Sequence, residues 1–303
     1  MHLIQALLIF SLFLPLIARC QDGELKPCGT ITKSLVLQRD CSAPMVIARD
    51  NITVNLNGYT IQAVPLPGED SHGGIEIFDR RGVTIKNGTI FGNQYGLLVR
   101  RGGKHTFRNL IAKSTVYPGF SALFEDVDDT VVKQVTVYAL SGGFSPFFFT
   151  GNDSKIVQVS SRGDESRGAG IYGDRLLIAN NDFESRLTGI GLGFSGNRSI
   201  LRGNKITGSA WYGTGLCFQG SHNLISRNTI MGSFLGLFSS CDTGPYHPTE
   251  DNTIRNNDIT SDSAAFPQAL DILARESACT STWKNNRFET DDEGDGPDAG
   301  CIR

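Results

Sequence analysis

Apolar and polar positions alternate along this chain in short bursts, and one burst recurs. It runs apolar, polar, a turn residue that is usually Asn or Gly, then Asn or Gly, one free position, and Ile or Phe. Clear copies are Ile85-Lys86-Asn87-Gly88-Thr89-Ile90, Ile178-Ala179-Asn180-Asn181-Asp182-Phe183 and Leu201-Arg202-Gly203-Asn204-Lys205-Ile206. Ile225-Ser226-Arg227-Asn228-Thr229-Ile230, Ile254-Arg255-Asn256-Asn257-Asp258-Ile259 and Trp283-Lys284-Asn285-Asn286-Arg287-Phe288 follow. With Asn181, Asn204, Asn228, Asn257 and Asn286 taken as equivalent, the steps are 23, 24, 29 and 29 residues. Steps of this size predict stacked repeats. A Gly-led apolar run precedes each phrase, as in Gly96-Leu97-Leu98-Val99, Gly189-Ile190-Gly191-Leu192 and Gly215-Leu216-Cys217-Phe218. One repeat therefore holds three short strands of period two, parted by Gly, Asn and Ser turns. A single three-strand coil has nothing to bury its apolar face against. Stacked coils give each strand a parallel partner and close one core. With weaker copies at Phe107–Leu110, Val132–Val137 and Ile156–Val159, about ten coils are expected. The recurring Asn residues are expected to hydrogen-bond one another as a ladder.

The phrase resembles the repeat of right-handed parallel β-helix proteins in the pectate-lyase-like superfamily. The opening, Cys28-Gly29-Thr30-Ile31-Thr32 through Asp50-Asn51-Ile52-Thr53-Val54-Asn55-Leu56-Asn57-Gly58, is similar to the first coils of secreted members. The resemblance covers roughly residues 28 to 288. It implies an all-β fold, a single right-handed parallel β-helix, and a substrate face on the strand before the first turn. It does not carry a site, because the repeat encodes the coil.

The apolar stretch from Leu3 to Ala18 is short for a membrane span and reads as a secretory signal cut before Gln21. The expected organisation is a signal over 1–20, a cap and first coil over 21–50, the solenoid over 51–288 and an acidic tail over 289–303. Secretion or a periplasmic location follows, with no membrane anchor after signal removal. Six cysteines then remain, an even number suited to disulfides in an exported chain. Neighbour pairing gives Cys28–Cys41, Cys217–Cys241 and Cys279–Cys301, although sequence leaves the connectivity open. A formal net charge of −3 and a pI near 6.0 give no pull toward nucleic acid. Of the four sequons, at Asn51, Asn87, Asn152 and Asn197, Asn87 is expected to point inward within the Asn ladder.

Candidate chemistry starts from alternation along the Gly-led strands. It turns Glu76 and Phe78 outward, then Leu98 and Arg100, then Leu123 and Glu125. Phe78, Arg100, Glu125 and Thr150 then form one column, with strands about 4.8 Å apart. Arg100 beside Glu125 offers a guanidinium to neutralise a uronate and a base to take its C5 proton; an ordinary surface ion pair is the alternative. The turn Arg162-Gly163-Asp164-Glu165-Ser166-Arg167 is the densest charged loop and a candidate groove wall. Trp211 and Tyr212 offer faces on which a sugar ring could stack. The loop 242–251 lengthens its coil and places His247 near Glu250 and Asp251.

Specific enzyme patterns of the superfamily are missing. Ser71-His72-Gly73-Gly74 holds a His-Gly pair like that of polygalacturonases, but it comes too early and without the paired aspartates. The Asp-Pro-His-Asp of alginate epimerases and the Arg-x-Pro-x-x-Arg of pectate lyases are absent. No cofactor is expected. Calcium is the one ion for which the 162–167 turn and the acidic tail offer oxygen ligands, without the full spacing. Two functions follow. One is a monomeric exported β-helix that binds polysaccharide without catalysis. The other is a lyase or epimerase of an acidic glycan, with Arg100 and Glu125 as the reacting pair.

Overall fold

The computed structural model describes residues 28–63, 73–114, 119–139, 145–164, 167–239, 249–262, 264–274, 280–292 and 302. They form an all-β parallel solenoid with no α-helix among them. One face, the front sheet, is a single stack of twelve parallel strands, from Gly29–Ile31 to Asp291–Asp292. That exceeds the expected count of about ten. The extra rungs lie at the ends, where Gly29–Ile31 and Asp291–Asp292 add strands without the Asn phrase.

Each coil leaves the front sheet and crosses two further parallel stacks. In three coils these merge into one bent strand: Thr84–Gly92, Thr106–Ser114 and Val131–Ala139. The bend is one residue in left-handed conformation, at Asn87 (φ 62), Asn109 (φ 54) and Gln134 (φ 55). Later coils use Gln158, Asn180, Gly203, Arg227, Asn256 and Asn285 there. Asn tolerates this conformation because its short amide bonds locally. The recurring phrase is thus a corner residue followed by an inward one.

Alternation then fills the interior from three sides. Leu192, Phe194, Leu201 and Ile206 are fully buried in one coil, and Leu216, Phe218, Ile225 and Ile230 meet them from the next. Near the middle, Phe124 packs edge-on to Phe107 at 5.0 Å and against Phe147 and Phe149 at 5.7 Å.

After the corner, Asn181, Asn204, Asn228 and Asn257 are buried. Each sends one Nδ2 hydrogen to Oδ1 of the next Asn at 2.9–3.0 Å and the other to a backbone carbonyl of the preceding coil. The expected ladder is present and ends on Asn286. Asn87 is a correction. It is the corner residue itself, half-buried on the outside, where it bonds Asn55 and Asn109 at 3.0 Å.

A second inward ladder runs at the entry to the side stacks, through Ser154, Ser199, Asn223, Asn252 and Ser281. His105 fills one of its rungs, its Nδ1 accepting the Val83 N–H at 3.3 Å. Its Nε2 is buried without a partner. Burial, ahead of the opposing pull of Asp50, pushes the imidazole pKa down to about 4.

Cys28 and Cys41 are bonded, with Cα atoms 5.5 Å apart, and clip the first coil. Cys217 is also disulfide-bonded. Cys241, Cys279 and Cys301 lie outside the described residues, as does the whole of 1–27.

Candidate functional site

The outer face of the front sheet is set by register. Phe78 lies opposite Arg100, and Arg100 opposite Glu125 on adjacent parallel strands. Thr150, Tyr172, Ser195 and Gln219 continue this column. Arg100 Nε stands 2.7 Å from Glu125 Oε2, the two side chains 38% and 45% exposed. The Nε–H is not aligned on the carboxylate, so the contact is an ion pair without a well-formed hydrogen bond.

The strands end on a glycine corner. An added Cβ at Gly102, Gly151, Gly173 or Gly196 would stand 1.9 Å from the carbonyl oxygen of the coil before it. No side chain fits at these four positions, so the sheet turns there on bare backbone, although Arg80 and Val127 stand opposite Gly102 in the same register.

Four rings cross this face on successive coils. Tyr95 stacks on Phe120 (6.2 Å, 4° between planes), Phe120 meets Phe148 edge-on at 5.6 Å, and Phe148 meets Tyr172 at 5.4 Å. Gly170 makes this possible, since an added Cβ would lie 3.2 Å from both the Phe148 and Tyr172 rings. Arg167 Nη1 donates to the Tyr172 hydroxyl at 2.6 Å and passes over Gly193. Sequence reasoning missed this strip. Tyr95 and Phe120 immediately precede the inward corner residues Gly96 and Ser121, so strand alternation does not point to them. The register Phe120–Tyr95 shows they belong to one column.

Beyond Thr150, Tyr172 and Ser195 lies a cleft of about 370 Å³ floored by Gly151, Gly173 and Gly196. Its far wall carries Asp126, Asp128, Asn152 and Asp174. The carboxylates are tied to the next coil: Asp128 Oδ1 accepts the Asn152 N–H at 2.7 Å, and Asp174 Oδ1 accepts the Asn197 N–H at 2.8 Å. The arginines of the rim are already committed. Arg101 grips Asp79 through two nitrogens and Arg175 grips Asp153 likewise, and these bonds hold both carboxyls below their usual range.

The other expected site residues are scattered. Glu76 is a correction: it is 8% exposed, and its Oε1 takes the Gly73 N–H at 2.7 Å, so it does not face solvent as expected. Alternation gives a side chain's direction but not what covers it. The charged loop is split between two faces. Arg162 lies on a side stack, paired with Glu184 at 3.1 Å, and Asp164 meets Arg186 at 3.6 Å. Among the described residues of the loop, only Arg167 reaches the front. Trp211 and Tyr212 are each 66% exposed, but they begin the strand Trp211–Gln219 at the end away from the cleft. The Tyr212 ring rests on Phe234 and Phe266. Glu165 and His247 lie outside the described residues. Among the described residues no three His, Cys, Asp or Glu side chains converge as a metal site, and no helix is long and apolar enough to cross a membrane.

Stacked parallel coils with a ring-lined outer face define a β-solenoid. Residues 145–295 match the family model described as a right handed beta helix region, and this chain is a right-handed parallel β-helix protein. None of the curated proteins matches it in sequence. Two solved structures share the fold at 12% identity. The A-module of the mannuronan C-5 epimerase AlgE4 from Azotobacter vinelandii aligns over 82% of this chain and 80% of its own, with a TM-score of 0.50. The Dettilon tailspike protein gp208 aligns over 84% and 55%, with a TM-score of 0.56.

Proposed function

We propose that this chain is an exported β-helix protein that binds a polysaccharide along the outer face of its front sheet. One observation carries the reading: the Tyr95, Phe120, Phe148 and Tyr172 rings follow one another across four coils. Apolar ring faces beside hydroxyl and charged groups suit sugars, which are apolar on the faces of the ring and polar at its edge. Coils about 4.8 Å apart repeat along the axis as residues of a glycan chain do. The epimerase module of like fold acts on mannuronan, in agreement with this reading. The Cys28–Cys41 disulfide agrees with an oxidising compartment outside the cytosol.

The test is calorimetric titration with a panel of neutral, acidic and basic oligosaccharides, on wild type and on Phe148→Ala. Truncating a central ring should cost about 1 kcal/mol or more, roughly fivefold in Kd. Equal affinities would remove the strip from the binding site. Turnover of a uronate glycan is the second reading, favoured by the adjacency of Arg100 and Glu125. Absorbance of an unsaturated product, lost in Glu125→Gln, would establish it.

A further inference from the structure

We infer that the cleft beside Tyr172 is a subsite for the ammonium groups of an amino-sugar polysaccharide; this deepens the glycan-binding reading and rests on it. The cleft is lined by Asp126, Asp128 and Asp174 and by no Lys, Arg or His. Arg101 and Arg175 are each paired with a further carboxylate, Asp79 and Asp153, and Arg167 stands at the Tyr172 edge, so the three carboxylates of the wall still outweigh the cations beside them. The Asp128 and Asp174 carboxylates are held in place through Oδ1 by the next coil, and their Oδ2 atoms have no partner among the described residues.

A second observation points the same way. Ser195 lines the cleft 3% exposed, and its Oγ has no hydrogen-bond partner. On the next coil Gln219, 2% exposed, leaves its Oε1 without a partner as well. Buried polar atoms left in this state are destabilising, a cost that a ligand group bonding them would recover. Gln219 stands outside the cleft lining and the Ser195 hydroxyl can give or take a hydrogen bond, but the Oδ2 atoms of Asp128 and Asp174 only accept, so the cleft favours a ligand rich in N–H or O–H.

Spacing narrows the class. Asp128, Asn152 and Asp174 are consecutive rungs of one column, since each receives the backbone N–H of the next coil. Asp128 and Asp174 are then two strand spacings apart, roughly 10 Å. They do not converge on one ion but can meet cations repeated along a chain. A polymer with one ammonium per sugar presents that pattern. A polyuronate presents carboxylates to the same wall and is repelled.

The experiment compares a fully deacetylated glucosamine hexasaccharide, its N-acetylated counterpart and hexamannuronate, in mildly acidic buffer that keeps the amines protonated. The deacetylated chain should bind about tenfold more tightly than either, and added salt should narrow the gap. Asp128→Asn and Asp174→Asn keep the Oδ1 acceptor that the next coil needs. Each should bring the deacetylated chain toward the N-acetylated one, narrowing the ratio of the two affinities. Equal binding of the first two, or tighter binding of hexamannuronate, with Phe148→Ala still weakening all three, overturns the inference and keeps the glycan-binding reading. If none of the three binds, both fail.

Discussion

Asn204 donates an Nδ2 hydrogen to Oδ1 of Asn228 at 2.9 Å, and the same Oδ1 takes the Asn204 backbone N–H at 2.9 Å. One side-chain oxygen thus satisfies two donors of the preceding coil, inside a core where both residues are buried from solvent. Asn228 also sends its Nδ2 hydrogens to Leu201 O and Asn257 Oδ1.

Asn228→Leu should therefore destabilise far beyond the loss of one hydrogen bond. It leaves two donors on Asn204 unpaired and removes the Nδ2 hydrogen that Leu201 O accepts, while Asn257 Oδ1 keeps the backbone N–H of residue 228. Each buried orphan costs about 1–3 kcal/mol, partly relieved by local relaxation. A loss of at least about 3 kcal/mol in urea denaturation is expected. An unchanged midpoint would mean the ladder contributes little to stability.

His105 predicts the sign of an acid effect. Its folded pKa is depressed to about 4 by burial, while the unfolded value is near 6.5. Between these values the unfolded chain binds the additional proton. Stability is thus complete above about pH 6.5 and falls as pH drops toward 4, by up to about 3 kcal/mol. His105→Asn places at this rung the residue type found at Asn223 and Asn252, and keeps an acceptor for Val83 N–H. The variant should flatten this part of the pH profile of denaturation, and an unaltered slope would assign the effect to other groups.

The Arg100–Glu125 pair should contribute little to folding. Both side chains are about two-fifths exposed, so solvent screens the attraction. A double-mutant cycle with Arg100→Ala and Glu125→Ala should give a coupling of about 0–1 kcal/mol that shrinks with salt. A larger coupling would give the pair a structural role. Unchanged glycan affinity in both variants would remove it from the binding face.

The legible part of this fold was the corner. A residue that tolerates left-handed conformation followed by an inward Asn repeats clearly, and it placed Asn181 to Asn286 in one ladder. The column of Phe78, Arg100, Glu125 and Thr150 was equally legible, because alternation fixes direction on a straight strand. Cover and corners were not. Glu76 points as expected but is buried, and Tyr95 and Phe120 sit where the strand bends and alternation loses phase. The acidic cleft was hidden because Asp128, Asn152 and Asp174 come from three coils whose lengths differ. Only their cross-coil hydrogen bonds reveal the shared column.

Two glycines on the binding face should respond in opposite ways to the same substitution. Gly173 has φ 142, and an added Cβ would stand 1.9 Å from the Gly151 carbonyl oxygen. Backbone of the adjoining coil cannot give way without breaking the stack. Gly173→Ala should cost more than about 3 kcal/mol or prevent folding, combining overpacking with a strained conformation. At Gly193 the nearest atom to an added Cβ is Arg167 Nη1, at 3.6 Å, and no positive φ is required. Gly193→Ala should fold with stability within about 1 kcal/mol of wild type. It should still alter glycan affinity, because the methyl group lies beneath Arg167, which holds the Tyr172 hydroxyl at the edge of the cleft. Thermal denaturation of both variants, with titration of Gly193→Ala, checks each half. Equal stability of the two would show that the glycine corner is not fixed by backbone contact. Unchanged affinity in Gly193→Ala would place the ligand away from Arg167.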